Sequence, residues 1–283
     1  MRKLLGIILC LVLGMTCASA ASYTTSTNWF DSKNVSHLNT IGKNITKANG
    51  MSSNVTFKVT DNENMNSDVS VTDTVYIYNQ DLKYVENDNE LAAVIAHEIG
   101  HLVNGHNAKT SILNNAISSI NPTTTTEGAA TTVSLLKTIS SNKVSKENEK
   151  EADITAVDLL STAKYNPLAL ISVVYKADIA KTGGILDENL SCEERIMNIY
   201  DYSNYNYPAT VKANYKTESY QKALNLIYAN LKIRNASKSK LAKAQKEQEK
   251  LQKEKYKRIR NMAKSTNPWS SAYSLIQLNN SVK

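Results

Sequence analysis

The sequence predicts a mainly helical α+β fold with a small β-sheet and a long, charged C-terminal helix. Most segments place apolar residues three and four positions apart, which is typical of amphipathic helices. Residues 55–59 and 69–78 instead alternate apolar with polar side chains, as half-buried strands do. Residues 238–264 consist mainly of Lys, Gln, Glu and Ala with few apolar positions, which predicts a solvated helix.

The first twenty residues have the features of a secretory signal peptide. Arg2 and Lys3 precede an apolar run over residues 4–15, and Ala18-Ser19-Ala20 matches a small-x-small cleavage site. The apolar run is too short to span a bilayer. We therefore expect an exported chain that is periplasmic or extracellular after cleavage, with a lipoprotein signal at Cys17 as the alternative.

Four apolar residues share one face of the first predicted helix, residues 31–48: Val35, Leu38, Ile41 and Ile45. Asn49-Gly50 ends this helix, and the two strands follow. Asn87 then resembles a helix N-cap, with Glu90 placed three residues on to reach back. The run after Glu90 is apolar on nearly every side, which predicts a buried helix.

The second half of the chain alternates helical patterns with breaks. Residues 121–142 are rich in Thr and Ser and predict a loop or lid between helices. A helical pattern resumes at Lys146 and runs past Leu160. Asn166-Pro167 starts the next helix, and residues 182–184 end it. One more apolar stripe closes the domain, at Tyr220, Leu224, Ile227 and Leu231.

Three regions follow from these assignments: a signal peptide over residues 1–20, one domain over residues 21–231, and a basic helical tail over residues 232–283. The domain is long enough for one hydrophobic core, which must hold the fold because Cys192 would be the only thiol left after cleavage. Residues 232–264 contain 13 Lys and Arg against three Glu. Export argues against nucleic acid as the partner of this basic segment, and an anionic membrane surface is the candidate instead.

The pentapeptide His97-Glu98-Ile99-Gly100-His101 is the most specific chemical signal in the chain, which has only four histidines. On a helix, residues i and i+4 lie on one face, so both imidazoles can bind one Zn²⁺. The Glu98 carboxylate is then placed to take a proton from a water molecule on the metal. A buried helix carries such polar residues only when something compensates their burial, as a metal would.

A zinc site needs at least one more protein ligand. The candidates are His37, His106 and the acidic residues downstream. Glu149 and Asp153 stand i and i+4 on a predicted helix, so Glu149 can bind the metal while Asp153 accepts a hydrogen bond from a ligating histidine. The structural alternative is a solvated, charged helix start.

Three segments together resemble the HtpX/BepA-type zinc metallopeptidases: ELAAVIAHEIGH (90–101), Gly105-His106-Asn107 and SKENEKEAD (145–153). These enzymes are gluzincins related to the CAAX prenyl endopeptidases. The resemblance covers about residues 55–200 and is closer to a soluble exported branch than to the integral-membrane branches. It implies a zincin-like metallopeptidase domain.

The resemblance also implies the roles of individual residues. His97, His101 and Glu149 correspond to the ligands of one Zn²⁺ per chain. Glu98 corresponds to the general base and acid, and Asp153 to the residue that supports a ligating histidine.

A later segment, Glu193-Glu194-Arg195-Ile196, resembles the family's Glu-Glu-Arg motif. Arg195 is therefore a candidate catalytic residue that stabilises the oxyanion or supports the site. The chain departs from the family pattern in Lys146, where an Arg is frequent, and in Asn189 and Leu190, where a His-Pro pair is usual.

These observations predict an exported zinc metalloendopeptidase that hydrolyses peptide bonds in polypeptides, with envelope protein quality control as its setting. The absent His-Pro pair motivates an alternative, a catalytically weak zinc-binding chaperone or envelope-assembly module. The intact Glu98 argues against it, since a binding module needs no general base. A third reading is an interaction adaptor whose basic tail carries the function. Substrate identity and oligomeric state are left open.

Overall fold

Helices make up most of the fold, and a two-stranded sheet supplies its β component. The computed structural model describes residues 22–52, 54–62, 74–106, 146–180 and 191–280. The helices are α1 (Ser32–Ala48), α2 (Asn79–Leu82), α3 (Asp88–Asn104), α4 (residues 146–162), α5 (Ala169–Ala180), α6 (Cys192–Asn206), α7 (Pro208–Ala213), α8 (Glu218–Asn235), α9 (Lys238–Met262) and α10 (Pro268–Asn280). The predicted mainly helical α+β class is confirmed.

The two predicted strands pair with each other in parallel. β1 (Thr56–Thr60) and β2 (Thr74–Tyr78) run from Thr56 opposite Thr74 to Thr60 opposite Tyr78. Phe57 in β1 and both Val75 and Ile77 in β2 are buried in the core, as their alternation with polar residues predicted. Residues 69–73 of the predicted second strand lie outside the described residues.

Helix α1 begins and ends where the sequence indicated. Asp31 is its N-cap, and its side chain accepts a hydrogen bond from the Lys33 backbone N–H at 2.9 Å. The apolar face of α1 packs against α3 and β1. At its C-terminal end, the buried Asn49 amide donates to the Leu159 carbonyl of α4 at 3.1 Å.

Helix α3 is the central element, and it contacts α1, α5, α10 and β2. Its N-cap is Asn87, as predicted, and the Asn87 side chain accepts from the Glu90 backbone N–H at 3.1 Å. The Glu90 carboxylate reaches one residue beyond the expected capping box and accepts from the Glu86 N–H at 2.8 Å. Glu90 is fully buried and also binds the Lys176 ammonium at 2.6 Å, which compensates its charge.

A glycine in the middle of α3 lets α4 approach unusually closely. A Cβ atom built on Gly100 would lie 2.7 Å from the Ala152 carbonyl oxygen and 3.1 Å from the Ala152 Cα. No side chain fits in that space, so only glycine allows this crossing. The crossing places the start of α4, which covers Glu149 and Asp153, beside the histidines of α3.

The C-terminal segment packs more closely against the domain than its composition predicted. The first half of α9 is exposed, but the second half buries Ile259 and Met262, and α10 buries Trp269 and Tyr273. The Ser270 hydroxyl donates to a backbone carbonyl near the end of α3 at 2.6 Å. The expectation of a wholly solvated helix over residues 238–264 is therefore wrong for its second half, because a few apolar residues at helical spacing are enough to dock it. The division of the chain at residue 231 stays a prediction.

The contact between tail and domain is centred on a buried carboxylate in α4. Asp158 is fully buried and accepts hydrogen bonds from the hydroxyls of Tyr202 and Tyr207, each at 2.7 Å, and of Tyr273 at 2.6 Å. The Lys255 ammonium of α9 lies 3.1 Å from Asp158 Oδ2 and also bonds the Tyr202 hydroxyl. This cluster joins α4, α6, α9 and α10.

Within the described residues, none of the helices combines the length and the apolar character that crossing a membrane requires.

Replacing Tyr273 with Phe tests the contribution of this cluster. The change removes one hydrogen bond to a buried carboxylate, and we expect the free energy of unfolding to fall by about 1.5–3 kcal/mol. Tyr205→Phe is the control, because Tyr205 is exposed and its change should cost about 0.5 kcal/mol or less. Urea unfolding measures both variants, and equal effects would show that the buried hydroxyl contributes nothing.

Candidate metal centre

Three side chains from α3 and α4 converge on one point. The Nε2 atoms of His97 and His101 lie 3.0 Å apart. Glu149 Oε2 lies 3.3 Å from His97 Nε2, and Glu149 Oε1 lies 3.2 Å from His101 Nε2. The structure thus brings together the three residues that the sequence nominated as metal ligands.

The spacing of these donor atoms fits a small divalent cation. Tetrahedral coordination with bonds of about 2.0 Å places neighbouring ligand atoms about 3.3 Å apart. Two imidazole nitrogens facing each other at 3.0 Å also need a proton or a cation between them, since bare lone pairs repel. Glu149 Oε2 is buried and completes no hydrogen bond of good geometry with another described residue. Two imidazoles and one carboxylate are a donor set of catalytic zinc sites.

The three donors differ in their access to solvent. The His97 side chain is 2% exposed, whereas those of Glu149 and His101 are 12% and 20% exposed. The centre is therefore closed on the His97 side and more open on the His101 side.

Asp153 and Arg195 support His97 from behind. His97 Nδ1 lies 3.0 Å from Asp153 Oδ1, so the ring presents Nε2 to the centre. Arg195 is fully buried and donates to both Asp153 oxygens, from Nε at 2.9 Å and from Nη2 at 2.6 Å. Its Nη1 also lies 3.5 Å from Glu149 Oε2. Arg195 thus fixes Asp153, which orients the donor residue His97. It also contacts the donor residue Glu149 directly.

The electrostatics of the site favour a positive charge among the donors. Burial opposes protonation of His97, but its close contacts with Asp153 and Glu149 outweigh that effect and raise its pKa to about 10. Burial also disfavours the charged form of Glu149, yet His101 and His97 hold the pKa of this carboxyl well below its usual range. Asp153 follows the same pattern: burial is outweighed by Arg195 and His97, and its pKa is lowered.

Glu98 follows His97 directly on α3 and is partly exposed. It makes no hydrogen bond or ion pair with the other residues that the structure describes, so its carboxylate is not committed to them.

The sequence also offered His37 and His106 as ligands. His37 lies outside the centre and pairs with Asp88 at 2.9 Å. His106 is not one of the three converging donors either: its side chain is 2% exposed, and it contacts His101 and Glu151. Sequence reasoning did not single out Glu151, although its place between Glu149 and Asp153 was a signal.

The positions that depart from the family's His-Pro pair, within residues 181–190, lie outside the described residues, as does the predicted loop 121–142.

Two histidines one helical turn apart, a glutamate from a second helix and a carboxylate behind the first histidine are the arrangement that metal-dependent hydrolases use. A model of Peptidase family M48 matches residues 32–219, about two thirds of the chain. The chain belongs to Peptidase family M48, whose members are typically metal-dependent peptidases. Comparison with curated proteins and with solved structures gives no significant match.

We expect the purified chain to bind one zinc ion through His97, His101 and Glu149. His101→Ala should abolish stoichiometric zinc binding, because only two of the three protein donors would remain. Asp153→Asn should weaken binding by about 10–100-fold, since the orienting charge is lost while all donors remain. Elemental analysis and chelator competition measure both effects. His37→Ala is the control and should bind like the wild type; equal zinc in wild type and His101→Ala would contradict the ligand assignment.

Proposed function

We propose that this chain is an exported zinc-dependent metalloendopeptidase that hydrolyses peptide bonds in polypeptides. The convergence of His97, His101 and Glu149 at 3.0–3.3 Å supports it, and so does the glutamate adjacent to the first histidine. Membership of Peptidase family M48 supports the peptidase class.

His97, His101 and Glu149 would hold the metal ion. When bound, a zinc ion would polarise the scissile carbonyl and lower the pKa of a water molecule. Exposure increases from His97 to His101, so the more open side of the centre suits an incoming polypeptide.

Glu98 acts as the general base and acid in this proposal. Its carboxylate accepts a proton from the attacking water and passes it to the amine of the leaving peptide. The Glu98 carboxylate is partly exposed and has no ion-pair partner among the described residues, so none of those side chains holds it away from a water molecule at the centre.

Arg195 is better placed to position the site than to contact a substrate. Its side chain is fully buried, and its Nε and Nη2 atoms donate to Asp153. Of the two roles that the sequence suggested, these contacts favour support of the site over stabilisation of the oxyanion. Asp153, neutralised by Arg195, then fixes the tautomer and orientation of His97.

The proposed export of the chain, and with it its cellular location, rests on the N-terminal sequence alone. Residues 1–20 have the pattern of a signal peptide, so we place the mature chain in the periplasm or outside the cell. Envelope protein quality control is a suitable setting for an exported peptidase of general polypeptide specificity. Determination of the N-terminal residue of the secreted chain tests this step, with Ala21 expected.

Glu98→Gln should retain zinc and lose proteolysis. The amide preserves the size of the side chain but cannot accept a proton from water. The measurements are zinc content and cleavage of casein by the full chain. Glu147→Gln, which changes an exposed glutamate on α4, is the matched control and should cleave like the wild type.

The outcome also distinguishes the alternative function. A wild-type chain that binds zinc, cleaves no unfolded substrate and still prevents aggregation of an unfolded protein would identify a zinc-binding chaperone. A Glu98→Gln chain that cleaves casein at the wild-type rate would show that Glu98 is not the base.

The basic C-terminal segment remains a proposed contact for an anionic membrane surface. The first half of α9 is exposed, and its lysines pair only weakly with neighbouring acids, as in Lys243 and Glu247 at 3.9 Å. Each basic residue near an anionic surface contributes roughly 1 kcal/mol at low salt. The docked second half of α9 would present these lysines on a fixed surface.

Replacement of Lys243, Lys246, Lys250 and Lys253 with Gln tests this contact in the full chain. All four side chains are exposed, so the variant should fold, while its co-sedimentation with phosphatidylserine vesicles should fall. Wild-type binding should also decrease as salt is raised. Vesicles of neutral lipid are the control. Equal sedimentation of wild type and variant, or none by either, would contradict membrane docking.

A further inference from the structure

The side of His101 that faces away from the donor cluster is held by a second histidine. His101 Nδ1 lies 3.0 Å from His106 Nδ1, and the two rings meet edge to face at 79°. His106 Nε2 lies 3.2 Å from Glu151 Oε2. Beyond it, Glu151 Oε1 lies 3.2 Å from Nη1 of Arg258 in α9. A continuous chain of polar contacts therefore joins His101 to the C-terminal helix.

The atoms in contact determine where each proton lies. If His101 binds a metal through Nε2, its Nδ1 carries hydrogen and needs an acceptor. That acceptor is His106 Nδ1, which must then be unprotonated. The neutral His106 ring carries its hydrogen on Nε2 and donates it to the Glu151 carboxylate. The Arg258 guanidinium forms an ion pair with the other oxygen of Glu151, so each contact in the chain joins groups of matching character.

The turn after α3 explains how His106 reaches this position. Gly105 ends α3 in the left-handed conformation with φ of +65°, which glycine adopts without strain. This turn lets His106 lie against His101, and His106 is 2% exposed there. A buried imidazole needs hydrogen-bond partners, and His101 and Glu151 supply them.

The two histidines among the metal-ligand candidates are thus supported in different ways. His97 contacts a buried carboxylate directly, and Arg195 neutralises that carboxylate. His101 instead contacts His106, and the carboxylate of Glu151 and the guanidinium of Arg258 follow beyond His106. The outer pair is only partly buried, with Glu151 at 31% and Arg258 at 18% exposure.

Resting on the proposed zinc site, we propose that His106 is a positioning residue for His101, and that Glu151 and Arg258 hold His106 in its tautomer. The C-terminal helix α9 is then part of the support of the metal centre. A cavity of about 1580 Å³ beside this chain is lined by His101, Glu151 and Arg258, so the outer pair borders an open space rather than the hydrophobic core.

The first test reads the tautomers directly by ¹⁵N NMR of the histidine rings in the zinc-loaded full chain. The sequence has four histidines, so assignment by single substitution is practical. We expect His101 with hydrogen on Nδ1 and His106 with hydrogen on Nε2 only. His106 with hydrogen on Nδ1 would overturn the proposal.

The second test measures zinc affinity by competition with a chromophoric chelator and the absorption spectrum of the cobalt-substituted chain. His106→Phe keeps the ring volume but removes the acceptor, and should weaken zinc binding by about 10–100-fold and alter the cobalt spectrum. His37→Phe is the control outside the chain of contacts and should change neither.

Arg258→Gln tests the same chain of contacts at its outer end, and it can be measured even if His106→Phe fails to fold. It should also lower zinc affinity, by a smaller factor than His106→Phe does. When both variants fold, its effect should largely vanish in the His106→Phe background, since the two residues act in series. The matched control is Arg234→Gln, which breaks another partly buried arginine pair, with Asp201 at 2.6 Å. Zinc affinity equal to wild type in Arg258→Gln, or equal losses in both arginine variants, would overturn the role of α9.

These results separate the two levels of the proposal. Wild-type zinc binding that His101→Ala abolishes and His106→Phe leaves unchanged would refute the positioning role alone. Absence of zinc binding by the wild type would refute the proposed function and this inference together.

Discussion

The contact between the backbones of α3 and α4 at Gly100 is the constraint on which the candidate metal centre depends. Each side chain of the centre comes from one of these helices or contacts them, and the donor atoms meet only because the helices cross without an intervening side chain. A methyl group at Gly100 would overlap the Ala152 carbonyl at 2.7 Å. The helices would then separate, and Glu149 would move away from His97 and His101. Gly100, which lies between Glu98 and His101, thus sets the distance between the two histidines of α3 and Glu149 of α4.

Helix α4 carries three buried or largely buried carboxylates, and each meets cationic or hydrogen-bonding groups from a different direction. Glu149 faces the histidines of α3, Asp153 binds Arg195 of α6, and Asp158 binds Lys255 of α9. A buried carboxylate without such a partner costs several kcal/mol. The pairing therefore specifies how α4 lies relative to α3, α6 and α9. Rigid support of this kind is what a ligand set needs to keep its geometry.

The C-terminal segment combines two kinds of surface in one helix. Its first half is solvated and basic, while its second half supplies Lys255 and Arg258 to acidic residues of α4. The same lysine and arginine content that indicates a charged tail therefore also completes the interior. Composition does not distinguish the two uses, because a cation that pairs with a buried carboxylate has the same side chain as one that faces water.

The sequence by itself determined the local elements and the chemistry of the candidate site. The predictions of α1, of the buried helix α3 with its Asn87 cap, and of the helical pattern from Lys146 all agree with the structure, because they depend on spacing and capping within a few residues. The HExxH motif and the Glu149-to-Asp153 spacing nominated the three residues that converge as donors. The fold decided what depends on distant partners. It paired β1 with β2 in parallel, buried His106 against His101 and Glu151, and docked α9 on α4. These outcomes join residues up to about a hundred positions apart, and local pattern carries no information about which distant charge or ring will meet a given side chain.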